Sequence, residues 1–187
     1  MRDYPVDLIR SFSVQALVAP SVRELRRGEL DGLAGNQQYR DLRGVTWEEV
    51  ADAARREAAL FIRFAAAADL EREAEQYDEE RLGGFDAADE LWGLDVGVAA
   101  AALALSALGA IPVSSCNAGG FGGHHIADFP YVAFYIGRAV PAAVLSIAEA
   151  ADVGLDVVDS GLGRLFGGTD VDLHRFAEVA LQRARLP

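Results

Sequence analysis

Residues 96–116 read VGVAAAALALSALGAIPVSSC, and the fold turns on where the helical part of this run stops. From Val96 to Leu108 the run is apolar or small on every side, the pattern of a helix buried all round rather than one with a wet face. Asp86 is placed to cap such a helix, predicted over 86–108. Gly109 ends it, and Pro112 cannot continue it. Beyond Gly109 the period changes. IPVSSC (111–116) reads as a strand, and after a glycine-rich loop YVAFYIG (131–137) reads as a second. The apolar run has about the minimum length of a membrane span, but it is alanine-rich and broken at Gly109 and Pro112. A buried core helix is therefore expected, with no membrane association.

Working outward, Pro141 suits the first turn of a helix, PAAVLSIAEAADV, stopped by Gly154. LDVVDSG alternates as a strand, and GRLFGGT pairs with it through a turn around Gly161 and Gly163. Thr169 and Asp172 open a last helix whose face carries Leu173, Phe176, Ala180 and Leu181, which leaves His174 on its polar, exposed side. Toward the N-terminus, Ser21 with Glu24 fits a capping box, as does Thr46 with Glu49, where Val45 and Val50 add a hydrophobic staple. Trp47, Val50, Ala54, Ala58, Phe61, Ala65 and Ala68 then recur at helical spacing. This predicts one long helix whose charged tail, DLEREAEQYDEERLGG, runs to Gly83 and Gly84 as a solvated face. Residues 1–20 carry no decisive pattern.

The element order is helices followed by β-β-α-β-β-α. Short turns between consecutive strands favour a small antiparallel sheet with helices on one face, hence an α+β fold. The 187 residues suit one domain. Residues 1–84 read as a peripheral helical layer and 85–187 as the α+β core that carries the site. The charge follows the same division. Residues 1–95 hold 12 arginines against 21 acids, whereas between 96 and 136 the only charged residue is Asp128, histidines aside.

Composition excludes several chemistries. Net charge is −12, which sets the chain against nucleic acid and anionic membrane surfaces as partners. All 17 basic residues are arginine, so a lysine Schiff base, a pyridoxal-phosphate linkage and a P-loop lysine are ruled out. The arginine, alanine and glycine usage suggests a GC-rich bacterial genome. One cysteine forms no intramolecular disulfide, and the first fifteen residues hold no apolar run of signal-peptide length. The expected compartment is the cytoplasm.

Candidate chemistry gathers in VSSCNAGGFGGHH (113–125), which contains the only cysteine, Cys116, and two of three histidines, His124 and His125. A strand from Ile111 to Cys116 spans roughly 20 Å. The same distance back along a helix is about 13 residues, which sets Asp95 and Trp92 level with Cys116. An antiparallel partner strand starting near Phe129 adds Asp128 to that rim. Cys116, Asn117, His124, His125, Asp128 and Asp95 are thus expected at one end of the sheet. Ser114, Ser115, Gly119, Gly120, Gly122 and Gly123 complete the polar lining. The glycines permit positive φ and close backbone approach to a ligand, and their amides could form an anion-binding nest, although neither GxGxxG nor a P-loop is present.

Two catalytic chemistries fit that set. A Cys116 thiolate, deprotonated by His124 or His125 and oriented by Asp128 or Asp95, would serve a hydrolase or transferase. Asn117 and the glycine amides would then steady an oxyanion. Alternatively Cys116, a histidine and Asp128 would bind zinc, with one position left for water. The same residues also have structural readings: Cys116 as a small buried hydrophobe and Asp95 as an acceptor for a backbone amide.

WGLDVGVAAAALALSALGAIPVSSCNAGGFGGHH followed by FPYVAF resembles a group of uncharacterised bacterial proteins. They share a leucine-and-glycine helix end, a Ser-Cys strand end, a Gly/His loop and a Pro-x-Val strand. The likeness covers residues 91–136 and implies no particular activity. Ser114, Ser115 and Cys116 also resemble the Ser-Ser-Cys-Ser-Gly-Arg element of the third wybutosine-synthesis enzyme, a tRNA-modifying methyltransferase. That element's arginine has no counterpart here, and the acidity of the chain opposes tRNA. Two functions are therefore expected as rivals. One is a small-ligand protein with its pocket at the 113–125 loop. The other is a non-catalytic interaction protein of antitoxin, immunity or regulatory type, which would use the acidic helical surface to bind a protein partner or a second copy.

Overall fold

The computed structural model describes residues 1–83, 91–122 and 127–185. Their fold is α+β. The stretch that opens with helical character becomes α4 (Ala99–Ala107), turns at Gly109, and leaves as β2 (Ile111–Cys116). Strand β2 pairs antiparallel with β3 (Tyr131–Tyr135), with Cys116 opposite Tyr131 and a bulge between Pro112 and Ser114. Strands β4 (Gly154–Val157) and β5 (Gly163–Phe166) form the second hairpin, closed at Gly161 by two backbone hydrogen bonds. The two hairpins join through β3 and β5.

The sheet is mixed rather than wholly antiparallel. A two-residue strand from the undecided N-terminal segment, β1 (Arg10–Ser11), pairs parallel with β4, giving the order β1-β4-β5-β3-β2. So short a strand has no periodicity to betray it; the edge of β4 selects it. On the far edge, Asn36 donates its side-chain amide to the Val113 carbonyl at the bulge, occupying an acceptor that an edge strand would otherwise offer to another chain.

The helices are α1 (Val22–Asp31), α2 (Trp47–Ala66), α3 (Leu70–Gly83), α5 (Pro141–Ala151) and α6 (Asp172–Ala184), besides α4. Both predicted capping boxes form. Ser21 and Glu24 open α1, and Thr46 and Glu49 open α2. Residues 99–106 are buried on every side of α4. Its alanines let α2 and α6 pack closely against it. These helices and α5 enclose the main core with the inward residues of the sheet, Val132, Phe134, Leu155 and Leu165. Ala133 and Tyr135 alternate to the opposite face, where Leu25, Leu33 and Tyr39 cover them.

Two expectations about the helices are corrected. The long helix from Thr46 divides at Ala67, whose ψ of 134° is extended. The reversal brings α3 back against α2, so that Arg63 pairs with Glu73 and Glu80 and Phe64 meets Tyr77 edge-on. Local propensity favoured continuation; the cross-helix contacts favour the fold-back. Similarly, the helix expected over 86–108 begins, among the described residues, only at Ala99. Residues 91–98 are turns, with Trp92 at φ 60° and Gly97 at φ 95°. A Cβ on Gly97 would lie 2.8 Å from the Asp170 carbonyl oxygen, so this turn demands glycine for both conformation and space.

Helix α4 therefore starts without a cap of its own, at Val98. Its amides are met from another helix: Glu57 of α2 accepts from Gly97 N–H (2.9 Å) and Ala99 N–H (3.1 Å) through Oε1. A carboxylate at this position supplies the acceptor that the first turn lacks. Among the described residues, no helix is long and apolar enough to cross a membrane.

Candidate functional site

The glycine loop leaves β2 at the end of the sheet. Cys116 is 3% exposed. Its thiol takes a hydrogen bond from the Ala118 N–H at 3.4 Å, across a turn in which Ala118 holds a left-handed φ of 56°. Asn117 is buried beside it. The Asn117 side chain donates to the Val96 carbonyl and accepts from Gly119 N–H, which ties the 95–97 turn to the loop. Asp95 and Trp92, both half-buried, belong to this neighbouring segment. The Trp92 carbonyl accepts from Arg40. Phe121 pins the loop from below, stacked on Phe64 and tilted against Phe61. At Gly122 a Cβ would meet Asp78 and Ala74 of α3 at 3.1 and 3.2 Å.

Other expected members separate. Ser114 and Ser115 are half-buried neighbours on one strand, so they point to opposite faces. Ser114 lies opposite Ala133, and Ser115 opposite Val132. Asp128 is exposed on the approach to β3. Gly123, His124 and His125 lie outside the described residues, as does any zinc set that would use those histidines. Among the described residues, no three His, Cys, Asp or Glu side chains are grouped to hold a metal ion.

Residues with no distinguishing sequence pattern complete the cluster. The N-terminal segment crosses the sheet end, held where Tyr4 N–H donates to the Gly168 carbonyl at 2.7 Å. From there Tyr4 donates its hydroxyl to Asp170 Oδ1 (2.6 Å), and the Arg2 N–H donates to Oδ2 (2.5 Å). The Arg2 guanidinium reaches the Gly119 carbonyl. Asp170 is 2% exposed and presses on the loop: a Cβ at Gly120 would stand 2.1 Å from Asp170 Oδ1 and 3.2 Å from the Tyr4 hydroxyl. Burial, and then the adjacent Asp170 carboxylate, push the Tyr4 phenol well above its usual range. Residues 2–4 thus form a strap over the Cys116–Gly120 turn.

A second polar centre lies on the helical side. His174 is not on an exposed face: it is 8% exposed, because α6 packs against α4, α5 and α2 together and so buries more than one stripe. The carboxylate of Glu57, wholly buried, accepts from His174 Nδ1 at 2.7 Å through Oε2. Phe61 meets the imidazole edge-on. Glu57 had a detectable signal: it interrupts the inward face of α2 between Ala54 and Phe61, where a charge must find a partner. No family model, curated protein or solved structure matches the chain.

Proposed function

We propose that this protein handles a small ligand at the sheet end, with Cys116 as the reacting group of a thiol-dependent hydrolysis or transfer. The observation supporting this reading is the meeting of polar side chains from remote segments beside the turn that follows Cys116. Tyr4 and Asp170 meet although 166 positions separate them, and both abut Gly120 of the turn that follows Cys116. In the reaction, His124 or His125 takes the thiol proton and the sulfur attacks a carbonyl carbon of the ligand, moving the C=O π pair to oxygen. Collapse of the adduct expels the leaving group, which takes the proton from the histidine, and water or an acceptor nucleophile then cleaves the thioester to free the thiol. Oxyanion stabilisation by the glycine amides and Asn117 requires the turn to open, because the Ala118 and Gly119 N–H groups and the Asn117 side chain are bonded within it. Access requires the Arg2–Tyr4 strap and the turn beneath it to open, since Cys116 is almost wholly buried.

The same burial favours a second reading, an interaction protein in which the loop is purely structural and the acidic outer face of α3 binds a basic partner. Iodoacetamide alkylation of Cys116 as a function of pH separates the two. The measurement compares wild type with His124→Ala and His125→Ala, with metal content determined on the same samples. The catalytic reading expects alkylation of the folded protein that slows when one histidine is removed. Bound zinc that protects the thiol would replace the nucleophile with a metal ligand. Alkylation only on unfolding, without metal and indifferent to both histidines, would overturn the catalytic reading in favour of the interaction protein.

A further inference from the structure

His174 has one ring nitrogen to spare. The Glu57 carboxylate accepts from Nδ1 at 2.7 Å, so the neutral ring carries its proton there and presents the Nε2 lone pair as an acceptor. One turn along α6 stands a second acceptor, the Glu178 carboxylate, whose Oε1 lies 3.8 Å from Nε2, beyond hydrogen-bond reach. Two acceptors so placed have no proton to share. Both border a groove of about 220 Å³ between α2 and α6, with Ala58 and Leu181 in its lining. That is room for several water molecules at about 30 Å³ each.

A metal cation is the partner that two lone-pair donors have in common. Zinc bonds of about 2.0–2.1 Å to nitrogen and 2.0–2.2 Å to oxygen, at the tetrahedral angle, set the ligand atoms about 3.4 Å apart. Oε1 must therefore close by only about 0.4 Å, and the Glu178 side chain, 57% exposed, has the freedom to do so. The imidazole is nine-tenths buried and does not need to move. Its ring and tautomer are set from behind by Glu57, the carboxylate–histidine–metal order in which the outer carboxylate raises the basicity of the ligand. Capping α4 accounts for Oε1 of Glu57 but not for a histidine on Oε2; metal ligation accounts for both. The charge of the groove selects among cations. Arg55 is drawn to Asp52 at 3.0 Å, but Arg185 also lines the groove and opposes a positive ion. Binding then depends on the imidazole–metal bond, which favours zinc over magnesium or calcium.

We propose that His174 Nε2 and Glu178, with Glu57 as the positioning residue behind the imidazole, form an open two-ligand site for a divalent transition-metal ion of the zinc type, its remaining positions taken by water. The site shares no residue with the Cys116 loop, so zinc held there does not protect the thiol. It is tested on the full chain by following the His174 ring nitrogens by NMR, at a fixed pH above the ordinary imidazole range. Zinc chloride is titrated against matched magnesium chloride. Zinc produces a saturable shift that is largest at Nε2, and magnesium does not. Glu178→Gln weakens zinc about tenfold or more. Glu57→Gln keeps an oxygen for the Gly97 and Ala99 amides but turns its own N–H₂ toward Nδ1, which moves the ring proton to Nε2. It weakens zinc about ten- to a hundredfold, and the nitrogen shifts report the changed tautomer, which a loss of packing alone would not produce. Should Glu57→Gln not fold, Glu178→Gln, at an exposed position, decides alone. The proposal is overturned if zinc and magnesium traces coincide, if zinc moves only the other histidines, or if either folded variant titrates like wild type.

Discussion

Glu57 is the most interior charge described in this fold, and its removal has a cost that can be worked out from its contacts. Glu57→Leu withdraws the acceptor from three buried donors at once: Gly97 N–H, Ala99 N–H and His174 Nδ1. Each orphaned donor costs about 1–3 kcal/mol. The apolar leucine returns about 1.5–3 kcal/mol of burial, so the net loss is about 2–6 kcal/mol. Against a total stability of about 5–15 kcal/mol for a domain, that is about 40% at the middle of both ranges. His174→Leu strands one oxygen of a buried carboxylate, at a cost of about 3–5 kcal/mol. The double variant still lacks acceptors for the Gly97 and Ala99 amides, but it leaves neither an imidazole nor a carboxylate unpaired. It therefore escapes both the imidazole penalty of about 1–3 kcal/mol and the carboxylate penalty of about 3–5 kcal/mol, and is less destabilised than the sum of the singles by about 4 kcal/mol or more. Urea unfolding of the four proteins measures this coupling from midpoints and slopes. Additivity within about 0.5 kcal/mol, or a Glu57→Leu cost below about 1 kcal/mol, would refute the argument that α4 and α6 are joined through this carboxylate.

Two further outcomes concern the strap. Gly120→Ala sets a Cβ into Asp170 Oδ1, and the nearby way to relieve the clash is to displace Asp170 with Tyr4. Loss of one charge-assisted hydrogen bond there raises the alkylation rate of Cys116 roughly tenfold or more; an unchanged rate and unchanged stability would remove the strap from the account. Tyr4 gives a test by alkaline absorbance titration. Its phenol binds its proton more tightly in the folded than in the unfolded state. Its contribution to stability is accordingly complete below pH about 10 and lost as pH rises beyond that through the folded value. Tyr135 is also held up by burial, so it titrates late alongside Tyr4. Tyr4→Phe removes one of them, and a late fraction identical to wild type contradicts the Tyr4–Asp170 bond.

The parts legible in the sequence are those decided by neighbours in the chain. Capping boxes at Ser21–Glu24 and Thr46–Glu49, the proline at the start of α5 and the strand IPVSSC all depend on contacts within a few residues. So do the 157–163 reversal and the all-round burial of the alanine helix, which has too few polar residues for a wet face. These suffice for an α+β arrangement with a glycine loop at the end of a strand, and they draw attention to Cys116 and Asn117. What tertiary structure decided lies at long separation. The break at Ala67 depends on α3 docking on α2. The parallel strand at Arg10 exists because β4 offers an edge. Trp92 and Gly97 turn where a helix was expected because Glu57, forty residues earlier, caps α4 from outside. His174 reads as polar surface when its own helix is considered alone and becomes interior when three helices surround α6. Tyr4, Arg2 and Asp170 have no period or motif; only closure of the chain brings their polar groups together over the glycine turn. Local sequence sets which backbone segments can form, because capping, turns and periodicity act over a few residues. The partners of buried polar groups are chosen by packing, since desolvation makes an unpaired group costly only once the whole core has closed around it.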